Sequence, residues 1–456
     1  MVAFLLKAKD DCQTDKPLCR EADTFTMLLP ALLLLLVSCT QASHFYGTVM
    51  TYHPKDTFAN GSVTVVLRYK LNFHSCSHSD TWSCSGNCGA LIQSSLDKVD
   101  EESNGEWCHN EGLLTRLVPS NAPFQLQLDG NAWISNAQNI NNWKAVTEVE
   151  LRNRSDTGKA NTSPLTTILP AVRVPSNCGR IFFLLAFDPD GDEVKCRFAT
   201  GSECQTCTQP SVLNLFHAIS ATSSFCLLLF NSTSSSNEGS YVVQMVMEDF
   251  PRQNITLTHT NGSQVTKTTN DAISKIPIQF AVKVDPAVPS CTEGHFLPKL
   301  LSPTPAHLAQ LYTPVGQELE IPIRAEAANS TISELLFSGP YDVDQTNLGS
   351  GNFSLRWTPS EQEGGESHPF CFVVQATSVN NTRYHSELRC VTVTVGNSEP
   401  NDHTASNHDH YFSCTKYTNH TASNHDHYFS STNCTNYNNH CSTYNYSFLN
   451  TFLKCK

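Results

Sequence analysis

The sequence predicts an all-β protein made of tandem sandwiches stapled by disulfides. Three observations lead there. Short apolar runs across 44–396 alternate with period two, as strands do when one face lies in a core. Gly, Pro and Asn turns separate them at roughly 8–12 residues, the spacing of a sandwich or barrel. No segment of helix length shows a 3.6-residue period.

Composition sets the compartment. The 456 residues suffice for several domains with their own cores. A net charge of -13 with 16% charged residues lacks the basic face of a nucleic-acid binder. Nineteen cysteines point to an oxidising environment. Residues 1–42 read as a leader: Met27–Val37 is an apolar h-region too short to span a bilayer, followed by small residues with cleavage expected after Ala42. Met27 reads as the working start, because the mixed-charge stretch before it is foreign to a secretory signal. No other run reaches the ~18 apolar residues of a membrane helix, so the chain as given is expected to be secreted. Sequons at Asn60, Asn153, Asn161, Asn231, Asn254, Asn261, Asn329, Asn352 and Asn380 fit a glycosylated ectodomain.

The first unit, 43–175, shows alternation over Val63–Tyr69 and at Phe124, Leu126 and Leu128, with a short strand at Thr147–Leu151. A polar loop region, Ser75–His109, carries Cys76, Cys84, Cys88 and Cys108 beside His74, His78 and His109. Their spacing matches no standard zinc pattern, and the compartment favours disulfides. Four cysteines allow three connectivities. Asn153–Ser163 reads as an exposed polar loop, Pro164–Val174 as an extended segment, and Pro175-Ser176-Asn177 as a boundary.

The second unit, 176–290, opens with a hairpin. Ile181–Phe187 is one strand, Val194, Cys196 and Phe198 alternate on the other, and Asp188-Pro189-Asp190-Gly191-Asp192 turns between them. Phe225–Phe230 and Tyr241–Met247 follow as strands. Thr256–Asp271 reads as a loop, and Ile276, Ile278, Phe280, Val282 and Val284 mark a last strand with one buried face. Cys204 and Cys207 form a CxxC, but a redox CxxC needs a βαβ setting that is missing here. They group instead with Cys178, Cys196, Cys226 and Cys291.

The third unit, 303–396, has strands at Glu318–Arg324, Ile332–Phe337 and Asn352–Trp357. Phe370–Gln375 and Leu388–Val395 close it, carrying Cys371 and Cys390 on adjacent strands. The cysteines thus fall into groups of four, six and two, each even, and can pair completely.

Two stretches bear a resemblance. Ala186–Val194 with Gly239–Val243 and Glu248-Asp249 resembles the Ig-like, dystroglycan-type cadherin-like repeats of extracellular proteins. Leu355–Pro359, the Gln362–Gly365 turn and the strand from Phe370 resemble the same class. Glu150–Cys178 is similar to uncharacterised cysteine-rich ectodomain proteins of fishes. The resemblance, over roughly 44–396, implies Ig-like and cadherin-like sandwiches and says more about fold than function.

Asp188, Asp190, Asp192 and Glu193 are the candidate metal ligands, because hard oxygen donors suit calcium. In cadherin-type domains further acids, such as Glu248 and Asp249 here, would join them. The EF-hand pattern fails, with Glu193 at its sixth position and Ala199 at its twelfth. The same residues also satisfy a tight turn with no metal. No nucleophile elbow, zinc-protease helix or phosphate loop is found, so no enzyme and no cofactor beyond calcium is expected. The expected function is adhesion or recognition of an extracellular protein or glycan through sandwich loops. The alternative is a matrix-like or mucus-like glycoprotein without a dedicated receptor.

The tail, 397–456, repeats HTASNHDHYFS at 403–413 and 420–430. Too polar to build a core, it is expected to be disordered. Its Asn, His, Asp and Tyr share codons that read as Thr in a shifted frame, and its Ser, Thr and Ala share codons that then read as Pro. It is therefore read as the wrong frame of an O-glycosylated Thr/Pro stalk, beyond which a membrane anchor would follow.

Overall fold

A computed structural model describes residues 44–103, 105–219 and 224–396. Every regular element among them is a strand, save three single turns of 3-10 helix, as the sequence leads one to expect. The leader, the cleavage site and the repeated tail lie outside the described residues. Among the described residues no helix is long and apolar enough to cross a membrane.

The first region carries β1 (Phe45–Thr57), β2 (Val63–Phe73), β3 (Ser83–Ser85), β4 (Ala90–Glu101), β5 (Cys108–Val118), β6 (Phe124–Asn131), β7 (Asn142–Val149), β8 (Asn153–Arg154) and β9 (Ala171–Pro175). The second carries β10 (Arg180–Leu184), β11 (Glu193–Phe198), β12 (Leu213–Ile219), β13 (Ser224–Phe230), β14 (Gly239–Phe250), β15 (Ile255–Thr258), β16 (Gln264–Lys267) and β17 (Lys275–Asp285). The third carries β18 (Lys299–Leu301), β19 (Ala309–Thr313), β20 (Leu319–Glu326), β21 (Thr331–Ser338), β22 (Asp344–Gly349), β23 (Asn352–Trp357), β24 (Ser367–Thr377), β25 (Arg383–His385) and β26 (Arg389–Val395).

Strand β17 joins the first two regions. One side pairs antiparallel with β14. The other is shared end to end: Lys275 meets Glu148 of β7, Ile278 meets Val49 of β1, and Ala281–Asp285 run parallel to Ala171–Pro175 of β9. An 11-stranded sheet results, in which β3-β6-β7-β17-β1-β2-β5-β4 is the main path. Gly47 permits the crossing of β1 and β17. Its φ is +113°, and a Cβ there would lie 2.1 Å from the Gln279 carbonyl oxygen.

The sheet folds over a core in which Val63, Val65, Leu67 and Leu71 of β2 meet Phe124, Leu126, Trp143 and Val149 of β6 and β7. Phe45 stacks on Trp143 with ring centroids 4.3 Å apart. A second core lies between β11, β14 and β17 and the three-stranded sheet β10-β13-β12. It also takes in Leu336, Cys371, Val373, Leu388 and Cys390 of the third region. That region is a sandwich of β18-β20-β23-β22 on β19-β26-β24-β21 around Trp357, Phe337 and Phe370.

Several expectations need correction. The boundary at Pro175-Ser176-Asn177 does not separate two sandwiches, because one sheet runs across it. Ile181–Arg197 is not a hairpin: β10 pairs with β13 while β11 pairs with β14. The acidic turn therefore carries the chain from one sheet to the other, and both strands still point apolar faces into one core. The strands β14 and β17 are buried on both faces, since the first region covers the face assigned to solvent. The region Ser75–His109 contains the twelve-residue strand β4, and Thr256–Asp271 contains the hairpin β15–β16. Asn153–Ser163 is no exposed loop, because Arg154 and Asn161 are buried within it.

All twelve cysteines singled out pair. The bonds are Cys76–Cys108, Cys84–Cys88, Cys178–Cys291, Cys196–Cys226, Cys204–Cys207 and Cys371–Cys390. Cys196–Cys226 ties β11 to β13 across the second core.

Candidate functional site

The acidic turn is held by its own backbone. Asp188 Oδ1 accepts the amides of Asp190 (2.9 Å) and Asp192 (3.1 Å), an Asx arrangement that Asp favours. Gly191 donates to the Asp188 carbonyl at 3.2 Å and sits at φ +83°, where glycine carries no steric cost. One carboxylate oxygen each of Asp188, Asp190 and Asp192 lie within 4.8 Å of one another. Glu193 is not part of this group. It begins β11, with its carboxylate 3.7 Å from Lys195 Nζ.

A cation already stands among these acids. The guanidinium of Arg154 is fully buried and donates from Nη2 to Asp192 Oδ1 at 2.8 Å, with Nη1 against Asp192 Oδ2. Asp156 receives Nε at 3.0 Å and Nη2 at 2.8 Å, and Asp190 lies 3.7 Å away. These carboxylates hold the guanidinium in its charged form more firmly than usual.

Asn161 extends the cluster. Its Oδ1 accepts from Arg154 Nη1 at 2.6 Å, and its Nδ2 donates to Asp249 Oδ2 at 2.7 Å and to the Tyr52 hydroxyl at 3.2 Å. Asp249 Oδ1 accepts from Ser274 N and Oγ at 2.8 and 2.7 Å. Burial pushes the Asp249 carboxyl up to about 7. Burial, then the neighbouring Asp249, raises Asp188 well above the carboxylate range. Asp188 Oδ2 has no hydrogen-bond partner among the described residues.

The set therefore fits an internal arginine better than a calcium ion. Both oxygens of Asp192 face Arg154, whereas calcium takes six to eight oxygens. The expected ligands divide accordingly, with Asp188, Asp190 and Asp192 in the cluster and Glu193 outside it. Of the two acids expected to join them, Asp249 does so through Asn161, whereas Glu248 pairs with Arg197 at 2.9 Å. Arg154 and Asn161 were not legible as members, because they lie in segments distant in sequence from the turn.

The sequons divide too. Asn60, Asn153, Asn231, Asn254, Asn261, Asn329 and Asn380 are exposed and Asn352 is half-buried. Asn161 has no exposed surface. Its Nδ2, the atom a glycan would occupy, is enclosed in the cluster, which corrects its assignment as a glycan acceptor.

Two further polar sites come from the fold alone. His109 Nδ1 lies 2.5 Å from Asn72 Oδ1, and its Nε2 lies 2.7 Å from Ser338 Oγ. This is the order of a nucleophile, base and orienting group, yet all three residues have no exposed surface. No substrate can reach Ser338, and the relay serves as a strut between the first and third regions. Where the three regions meet, Tyr52, Arg68, Lys70, Pro189, Gly339 and His368 line a cleft of ≈ 60 Å³, too small for an organic substrate. The cysteines of Ser75–His109 are all in disulfides, so none is a thiolate for zinc.

No family model matches the chain, and no curated protein matches it. Solved structures do. One is the sialic acid binding region of a Streptococcus sanguinis adhesin, at 11% identity over 52% of this chain and 78% of that one, with a TM-score of 0.18. Zebrafish RET cadherin-like domains 1 to 4 match at 10% identity over 66% of this chain and 65% of that one, with a TM-score of 0.17. Sidekick-1 immunoglobulin domains 1–4 match at 10% identity over 77% and 91%, with a TM-score of 0.16. Cadherin-like and immunoglobulin domains are thus among the structures this chain is similar to, at scores that assign it to no family.

Proposed function

We propose that the chain is a glycosylated extracellular ectodomain for adhesion or recognition, binding a protein or glycan partner without catalysis. One observation supports this above others: six disulfides staple all three regions of the β body, as in proteins made for an oxidising compartment. The buried polar groups then have structural work. Arg154 supplies the positive charge that calcium would otherwise bring to the acidic turn, and the His109 relay braces two regions. Partners are left to the surface loops. The secreted full-length chain, presented to arrays of cell-surface proteins and of glycans, should bind a partner saturably at micromolar affinity or better. Failure on both arrays favours the matrix-like glycoprotein without a dedicated receptor.

A further inference from the structure

The outer face of the small sheet β10-β13-β12 is apolar. Its register sets two rows across the strands: Ile181, Leu229 and Asn214, then Phe183, Leu227 and Phe216. Ile181 and Phe183 are each 37% exposed and Phe216 is 40% exposed, while Leu227 and Leu229 are half-buried. Their neighbours Phe182, Leu184, Cys226 and Leu228 point the other way, into the core. Neither row contains a charge. His307 bounds the patch on one side, its ring centroid 5.7 Å from that of Phe183. Contiguous apolar surface of this kind marks a place that something covers.

The chain carries a cover of its own. Asn231 follows β13, is exposed, and opens the sequon Asn231-Ser232-Thr233. It extends the outward series Leu227, Leu229 by the next alternate position, about 7 Å beyond Leu229. We propose that the N-glycan on Asn231 folds back along β13 and covers Leu229, Leu227, Phe183 and Phe216. This rests on the reading of the chain as a secreted glycoprotein. The linkage is the ordinary one: Asn231 Nδ2 loses a proton and bonds C1 of N-acetylglucosamine, displacing the lipid diphosphate of the donor.

The chemistry suits the place. A pyranose ring presents C–H groups on its faces and hydroxyls around its rim. It can lie on aromatic and aliphatic side chains with its polar groups still in water, so that no buried polar atom is left unpaired. The alternative occupant, a second copy packed face to face, suits it less well. A stable dimer needs about 800 Å² per partner, more than five partly exposed side chains supply, and a glycan at Asn231 would stand in its way.

The full chain, expressed in a glycosylating secretory host, provides the test. Glycopeptide mass spectrometry should find Asn231 occupied. N231Q should bind severalfold more of an apolar-surface dye such as bis-ANS than wild type, and F216S in the same background should reverse most of that gain. N60Q serves as the control and should leave dye binding unchanged. An unmodified Asn231 among occupied sequons overturns this proposal alone, as does an N231Q variant with wild-type dye binding. A chain bare at every sequon overturns the glycoprotein reading with it. A glycosylated wild type that dimerises in light scattering, and loses the dimer on F216S, gives the face to a second copy and also overturns the proposal.

Discussion

Arg154 donates to Asp192 at 2.8 Å across thirty-eight residues of chain, clamping β8 to the turn between β10 and β11. Removing one partner of a buried ion pair leaves the other charge uncompensated and typically costs about 3–5 kcal/mol. R154M should therefore lower the denaturation midpoint sharply. R154M/D192L should recover only part of the loss, because the Asp192 charge is removed with its partner while Asp156 and Asn161 still lose their donor. Unchanged midpoints for R154M, in urea titrations followed by tryptophan fluorescence, would show that the clamp does not stabilise the fold.

Chelation separates arginine from calcium as the resident cation. With Arg154 in place, excess EDTA should leave Tm unmoved, and added calcium should not raise it. A calcium-dependent rise that disappears in D190N would restore the metal reading of the turn.

Asp100, in β4, accepts the Phe337 amide at 2.9 Å, and burial pushes its carboxyl from 3.8 to about 7. The folded state keeps this proton longer than the unfolded one. Its stabilising contribution is complete below about pH 4 and is lost as pH rises towards 7, at no more than about 1.4 kcal/mol per pH unit. D100N, which can still accept the amide, should be more stable than wild type at pH 8 and no more stable at pH 4. An equal difference at both values would refute the shift. The buried imidazole of His368 acts in the opposite sense. Held down to about 3 by burial, it costs stability as pH falls below 6.5, so the D100N comparison must be made as a difference between proteins.

The disulfides should rank by the loop that each closes. Cys178–Cys291 spans 113 residues and Cys196–Cys226 spans 30, for which chain entropy gives roughly 5 and 3.5 kcal/mol. Paired alanine substitutions there should destabilise more than those at Cys84–Cys88 or Cys204–Cys207, whose loops span 4 and 3 residues. Peptide mapping should recover all six pairs with no free thiol in 44–396.

What the sequence made legible was strand content and cysteine parity. Alternation at Val63–Tyr69 or Phe124–Leu128 depends on neighbours two residues apart, and so is written locally. The partners of those strands are not. Nothing in Ile181–Phe187 tells that β10 looks to β13 rather than to β11, because both arrangements bury Phe182 and Val194 alike. The polar stretch 153–163 misled for a similar reason. Arg154 and Asn161 look like surface residues until Asp192 and Asp249, from other segments, arrive to satisfy them. Asp188, Asp190 and Asp192 were found because they sit together in the chain, and Glu193 was included with them on the same ground. The pleat instead carries it away from the cluster.

The position of β17 sets a timetable for synthesis. It is the last strand of the large sheet to leave the ribosome, yet it lies between β1 and β7, which were made well over a hundred residues earlier. At about 5–20 residues per second, the edges of β1 and β7 wait roughly six seconds to most of a minute for their common neighbour. During that interval the nascent chain has two unpaired strand edges and no finished core. Its folding yield should therefore depend on chaperones that hold strands, and less on the intrinsic stability of the finished protein.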